Sequence, residues 1–88
     1  MATNTNVNAV SILPQAGANN SGHKLAWIDS AAKAAQNDTL TLVNGTLIQV
    51  LSIIDDATGA FETHTVSSNV ITLTSETTGA KSALVLIK

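Results

Sequence analysis

The 88-residue chain contains no cysteine, no arginine and no tyrosine, and it has a single proline, tryptophan and phenylalanine. The absence of cysteine excludes disulfides and thiolate-bound metals. The net charge is −2, and the four positive charges are lysines spread along the chain. Affinity for nucleic acid depends largely on clustered lysine and arginine, so nucleic acid is not a predicted partner.

Long apolar stretches are missing as well. No run reaches the roughly 18 apolar residues of a membrane span, and the first residues have neither the basic flank nor the apolar stretch of a signal peptide, so neither is predicted. Only 11% of the residues are charged, whereas 44% are hydrophobic. A polar but weakly charged surface rich in Thr, Ser, Asn and Ala suits close packing against another protein.

Turn signals predict an all-β fold. Asn44-Gly45 lies between two apolar or alternating runs, which is typical of a β-hairpin with a type I′ turn and positive φ at Gly45. Two further segments each place an acid and a threonine before a glycine, at Gly59 and Gly79, which predicts a type I turn closed by a glycine at positive φ. The predicted strands from residue 39 onward are residues 39–43, 46–54, 61–66, 69–74 and 82–88, with turns at 44–45, 56–59, 67–68 and 77–79.

The chain divides into a flexible N-terminal arm and linker, residues 1–22, and a compact β domain, residues 23–88. The arm carries one apolar cluster before Pro14, and the small polar residues 15–22 that follow bury too little to order alone. The cluster is either an edge strand of its own domain or a segment that orders on a partner. Its members are Val7, Val10, Ile12 and Leu13.

Residues 23–28 form a short predicted strand with Trp27 as its best anchor. A tryptophan here belongs either to the core, which we favour, or to an interface. Asp29 then precedes a run of strong helix formers, which predicts one short helical turn ending at Asn37-Asp38. The predicted fold is therefore all-β, a small antiparallel β-sandwich or barrel of about six strands with one short helical turn and an extended N-terminal arm.

The sequence carries no recognisable catalytic or metal-binding pattern. His23 and His64 stand alone; Glu62 shares a strand face with His64 and would need a third ligand to hold zinc, so a solvated strand face is preferred. Asp55-Asp56 lacks the spacing of a calcium loop and suits a turn entry. No nucleophile elbow or phosphate-binding loop is present. The sequence predicts no enzyme, no cofactor and no metal site.

Four stretches resemble small structural proteins of tailed bacteriophages: the Asn/Thr-rich residues 1–6, NDTLTL at 37–42, SSNVITLT at 67–74, and TGA at 78–80 with ALVLI at 83–87. The closest group is the head decoration, or cement, proteins. The resemblance implies a protein that binds the major capsid protein on the outer surface of the phage head, stabilises the head and self-associates, with a trimer favoured. It also implies assembly in the host cytoplasm and a final place on the virion.

In such families an N-terminal arm reaches the capsid lattice, and the candidate partner-binding residues here are Val7, Val10, Ile12, Leu13 and Trp27. Two alternatives stay open. A carbohydrate- or surface-binding β module would need exposed aromatic residues, of which the chain has few. A tail or neck component would be structural but located elsewhere in the virion.

Overall fold

The computed structural model describes residues 3–12 and 23–88, with the backbone alone for residues 31–33. These residues form eight strands in two four-stranded sheets and no helix. The first sheet has the order β1-β4-β7-β6 and the second the order β2-β3-β8-β5. The strands are β1 (Asn4–Val7), β2 (Ala9–Ser11), β3 (Lys24–Ala34), β4 (Thr39–Leu42), β5 (Leu47–Asp55), β6 (His64–Ser67), β7 (Val70–Leu73) and β8 (Gly79–Ile87). The all-β prediction is confirmed, with eight strands in place of about six.

Both sheets contribute to one hydrophobic core, and two-residue alternation selects its members. In β4, Leu40 and Leu42 are buried, while Thr39 and Thr41, which alternate with them, are half-buried. The same alternation buries Ile71 and Leu73 in β7. The second sheet adds residues from β2, β3, β5 and β8, namely Ala9, Ala26, Ile28, Ala34, Leu47, Ile53, Ala83, Val85 and Ile87. The sheets therefore share a single core built from the inward positions of their strands.

The predicted hairpin at Asn44-Gly45 is wrong, because the chain changes sheets there. β4 pairs with β1 and β7, whereas β5 pairs with β8. Gly45 does not have positive φ. The Asn44 side chain instead accepts a hydrogen bond from the Ala9 amide (2.8 Å) and donates one to the Ala9 carbonyl (2.7 Å). Asn44 therefore links two places where the chain passes from one sheet to the other: the β4–β5 connection and the β1–β2 connection, which ends at Ala9.

The other predicted turns have mixed outcomes. The hairpin between β6 and β7 is confirmed, with Ser68 in the left-handed region at φ 52°. Gly59 has positive φ (75°), as predicted. The strands on either side of it, β5 and β6, do not pair with each other, because they belong to different sheets. Gly79 is the first residue of β8 and lacks positive φ, so that prediction is wrong. A Cβ at Gly79 would lie 2.9 Å from Asp55 Oδ1, so glycine is needed here for close approach.

The helical turn predicted after Asp29 is also wrong, because these residues continue β3. β3 pairs with β8 in antiparallel register, with an irregularity between Ser30 and Ala34. An isolated helix of this length is marginal in water, and pairing along β8 overrides its propensity. The strand ends at a turn where Asn37 has φ 73° and the Asp38 carboxylate accepts hydrogen bonds from the amides of Thr3 and Ala35, both 2.8 Å.

The described part of the predicted arm lies in the sheets. β1 pairs with β4 in parallel and β2 pairs with β3 in antiparallel register, so both are edge strands of the domain. Val7 and Ala9 are buried in the core. This arrangement corresponds to the edge-strand alternative for the apolar cluster. Leu13 and the predicted linker, residues 15–22, lie outside the described residues.

Candidate functional site

The exposed face of the first sheet is polar. Asn4 Oδ1 accepts hydrogen bonds from the hydroxyls of Thr39 and Thr41, both 2.7 Å. Thr72 lies opposite Thr39 in β7, and Thr65 lies opposite Thr72 in β6, so the hydroxyl row continues across the sheet. This face therefore carries mainly short polar side chains, with Val70 of β7, opposite Thr41, as an apolar exception.

The exposed face of the second sheet is apolar where β2, β3 and β8 lie side by side, and it is polar at Gln49 and Ser52 of β5. Val10, Trp27 and Leu84 occupy directly opposed positions on three neighbouring strands. A second row lies beside it, because Leu25 opposes Leu86 and the Ile12 amide donates to the Leu25 carbonyl at 3.0 Å. Val10 is 68% exposed and Trp27 is 38% exposed. We call these six residues, Val10, Ile12, Leu25, Trp27, Leu84 and Leu86, the apolar face.

The structure brings together three of the five candidate partner-binding residues. Val10, Ile12 and Trp27 lie on the apolar face, whereas Val7 is only 6% exposed and belongs to the core. Trp27 was expected to favour the core, but Ala26 and Ile28 take the inward positions of β3, so its side chain points to the opposite face. Residues 25–28 are all apolar, so the sequence pattern alone did not show which of the two faces points into the core.

A buried charged cluster lies at one end of the core. Lys81 is 1% exposed and occupies an inward position of β8, in phase with Ala83 and Val85. Its ammonium Nζ lies 3.2 Å from Asp55 Oδ1, and it donates a hydrogen bond to Glu62 Oε1 as well. A buried ammonium needs such partners, because an unpaired charge in the core is costly.

Two threonines complete this cluster. The Thr58 hydroxyl donates to Asp55 Oδ2 at 3.1 Å, and the Thr77 hydroxyl donates to Glu62 Oε1. Lys81 Nζ also lies 3.0 Å from Thr77 Oγ1. We call Lys81, Asp55, Glu62, Thr58 and Thr77 the Lys81 cluster. Two carboxylates and one ammonium give it a net charge of one negative unit when all three groups are ionised.

The contacts within the Lys81 cluster favour the ionised forms. The hydrogen bond from Lys81 lowers the pKa of Asp55. Burial by itself would raise the pKa of Glu62, but its hydrogen bonds with Lys81 and Thr77 hold that pKa below the usual range. Burial likewise opposes the Lys81 ammonium, yet its bonds to Glu62 and Asp55 raise the Lys81 pKa above its ordinary value.

Sequence reasoning missed the Lys81 cluster. The last strand was predicted to begin at Ser82, which left Lys81 outside both the strand and the preceding turn, although the two-residue period places Lys81 on the face of Ala83 and Val85. Glu62 was assigned to a solvated strand face shared with His64. Its side chain is buried instead, and the His64 ring contacts the Glu62 backbone carbonyl at 3.3 Å. Asp55 does precede a turn as predicted, but its carboxylate is buried.

Within residues 3–12 and 23–88 there is no group of three His, Cys, Asp or Glu side chains placed to hold a metal ion, and no pocket. Among the residues described, no helix is long and apolar enough to cross a membrane. Comparison of the chain with protein-family models, with curated proteins and with solved structures finds no match in any of the three.

Proposed function

We propose that the chain is a small β-sandwich that serves as a virion structural protein, a decoration protein that binds the outer surface of a phage head. The observation that carries this proposal is the apolar face, which exposes Val10 and Trp27 on one sheet while the other sheet exposes threonine and asparagine. This asymmetry gives the domain one face suited to water and one suited to a partner. Head decoration requires such a contact surface and no catalytic group.

The composition of the apolar face favours a protein partner. Folded monomers rarely leave a contiguous apolar patch exposed unless it mediates an interaction. Tryptophan is the residue type most enriched among interface hot spots, and Trp27 lies in the middle of its row, between Val10 and Leu84. None of the six side chains is charged, and the exposed Asp29 occupies the next outward position of β3, so binding would depend mainly on shape and burial.

Modest contacts from each copy of the domain are sufficient for stable binding when the partner is a capsid. A head presents the same surface many times, and decoration copies that also contact one another gain affinity by avidity without new contacts to the capsid. We therefore propose the major capsid protein as the partner, with self-association as a trimer. Location in purified virions by cryo-electron microscopy tests both points and separates head decoration from a tail or neck position.

The binding face is tested by co-sedimentation with undecorated capsids of the phage that encodes the chain. Val10→Asp places a charge on the apolar face, and Val43→Asp is the matched control at another exposed valine. We expect the wild type and Val43→Asp to sediment with capsids and Val10→Asp to bind at least tenfold more weakly. Circular dichroism melts show whether both variants fold. Full binding by a folded Val10→Asp, or no binding by the wild type, would refute the assignment.

A carbohydrate-binding module is the second candidate, because both large aromatic side chains are exposed. Phe61 is 80% exposed in the β5–β6 connection, and Trp27 lies on the apolar face. Aromatic rings stack on the apolar faces of sugars. Trp27 fluorescence during titration with host-surface glycans tests this function. A saturable change would favour it, and an unchanged spectrum across the set would count against it.

A further inference from the structure

The Lys81 cluster places an amine, a carboxyl group and a second carboxylate in mutual contact in the core. Lys81 Nζ lies 3.2 Å from Asp55 Oδ1 and contacts Glu62 Oε1. We propose that Lys81 and Asp55 condense spontaneously into an intramolecular isopeptide bond, with Glu62 as the acid–base catalyst. The bond would join β5 to β8 through their side chains.

The register of the second sheet holds the two reacting residues together. Asp55 and Lys81 are directly opposed on neighbouring antiparallel strands, and both side chains point into the core. Residues in such positions have Cβ atoms about 4.5–5.5 Å apart, within the reach of a lysine side chain. Held this way, amine and carboxyl react as if at very high concentration, since effective molarities of about 10⁵ M and above are reached in well-oriented pairs.

Neighbouring residues fix the orientation of the Asp55 carboxyl group. The Thr58 hydroxyl donates to Oδ2 at 3.1 Å, which leaves Oδ1 toward Lys81. Gly79 gives the carboxylate room, because a Cβ at that position would lie 2.9 Å from Oδ1. Thr58 therefore holds Oδ2 by a hydrogen bond, and the missing side chain of Gly79 leaves space beside Oδ1.

The reaction is balanced by the groups present. The ion pair is the favoured state, and the reaction proceeds from the minor neutral pair. Glu62 takes a proton from the Lys81 ammonium and delivers it to Asp55 Oδ1, which gives this neutral amine and neutral carboxylic acid. Nζ attacks Cγ, a C–N bond forms, and the displaced electron pair moves to Oδ2, where the Thr58 hydroxyl stabilises it. Glu62 then moves a second proton from the nitrogen to Oδ1. The C–Oδ1 bond breaks, water leaves, the Cγ–Oδ2 double bond re-forms, and Glu62 is again a carboxylate.

Burial favours the amide product. Two ionised groups in a core carry a large desolvation cost, and condensation replaces them with one neutral amide. Lys81, Asp55 and Glu62 are all buried, so little water is available to reverse the reaction. The bond would also give this cysteine-free chain a covalent link between distant residues, which restricts the unfolded chain as a disulfide does.

Intact-mass spectrometry of the purified chain tests the proposal directly. We expect the folded wild type to be lighter by one water than the mass calculated from its sequence. Tryptic mapping should yield residues 34–88 as one peptide, lighter by one water and not cleaved after Lys81. Further cleavage of that peptide after Glu62 and Glu76 should leave a branched product joined through Asp55 and Lys81. A wild-type chain that keeps its full calculated mass after prolonged incubation of the folded protein would overturn the proposal, and the Lys81 cluster would then be an ion-pair network only.

Variants separate this bond from other dehydrations, such as succinimide formation at an aspartate. Glu62→Gln keeps the shape of the side chain but removes the base, and Lys81→Arg removes the nucleophile, so both should retain full mass. Asp56→Asn changes the exposed neighbouring acid and should still lose water. Folding of each variant is checked by circular dichroism. Water loss in Lys81→Arg, or an unchanged rate in Glu62→Gln, would contradict the mechanism.

Discussion

The Asn69 side chain fastens the crossing from β4 to β5, and we expect its removal to destabilise the whole domain. Its amide nitrogen donates to the carbonyls of Leu42 (3.1 Å) and Gly45 (2.7 Å), and its Oδ1 accepts from the Leu47 amide (2.9 Å). These contacts span the last residue of β4, the connection and the first residue of β5. Asn69→Ala removes all three at once.

The magnitude follows from those three hydrogen bonds. At about 1 kcal/mol each they sum to about 3 kcal/mol, and the penalty is larger where a buried group is left without a partner. Gly45 is exposed, so water replaces the amide at its carbonyl and reduces the loss. We expect the free energy of unfolding to fall by about 2 kcal/mol, which lowers the melting temperature of a domain of this size by roughly 8–16 °C.

Urea unfolding followed by circular dichroism measures this change. Asn6→Ala is the matched control, because Asn6 is exposed and accepts one exposed hydrogen bond from Asn4; its cost should stay below about 0.5 kcal/mol. Asn69→Asp should be at least as damaging as Asn69→Ala, since a carboxylate accepts from Leu47 but faces two carbonyl oxygens without a donor. Equal midpoints for Asn69→Ala and Asn6→Ala would show that other contacts hold the crossing.

Three further predictions concern the edges and turns of the domain. Deletion of residues 2–12 removes β1, β2 and the buried Val7, so the denaturant midpoint should fall sharply; an unchanged midpoint would place this segment outside the folding unit. The amides of Thr3 and Ala35 hold the pKa of Asp38 below its usual 3.8, so the stability that the Asp38 carboxylate contributes is present above about pH 4 and is lost as the pH falls through its folded-state pKa. Asp38→Asn should therefore flatten the dependence of stability on pH in acid unfolding. A variant curve parallel to that of the wild type would contradict this. Gly59→Ala should lower the free energy of unfolding by about 1 kcal/mol, measured by thermal melts, because residue 59 has a φ of 75°. Gly45→Ala should lower it by less than about 0.5 kcal/mol, because Gly45 does not have positive φ. A larger loss for Gly45→Ala than for Gly59→Ala would refute this assignment of backbone conformations.

Sequence patterns located most strands but not their partners. The alternation of residues 39–42 identifies β4 and its buried face correctly, because that signal is local. The Asn-Gly pair is a local signal too, yet the Asn44 side chain bonds to Ala9, which is far away in the sequence. No property of residues 39–51 alone shows that a second crossing lies beside them. The assignment of strands to sheets therefore depended on contacts that hairpin chemistry does not encode.

β3 shows that helix propensity, which is also a local signal, is overridden by contacts with distant residues. Residues 29–36 are rich in alanine and begin with a good N-cap residue, so the local preference is helical. Pairing with β8 satisfies the backbone of this segment and buries Ala34, which a free helical turn cannot match. For a short segment, the free energy gained by joining a sheet exceeds the few tenths of a kcal/mol per residue that separate helix propensities.

The Lys81 cluster was readable from the sequence in part. The two-residue period places Lys81 on the face of Ala83 in β8, and Asp55 on the face of Ile53 in β5. Both strands are apolar on both faces, so the period alone does not show which face lies in the core. A buried charge requires an opposite charge, and in a chain with so few charged residues the number of possible partners is small. Treating the first charged residue as the end of a strand discards this information. Extending the two-residue period through the charge shows that Lys81 shares a face with Ala83 and Val85. The burial of that face, and the approach of Glu62 from the β5–β6 connection, required the three-dimensional structure.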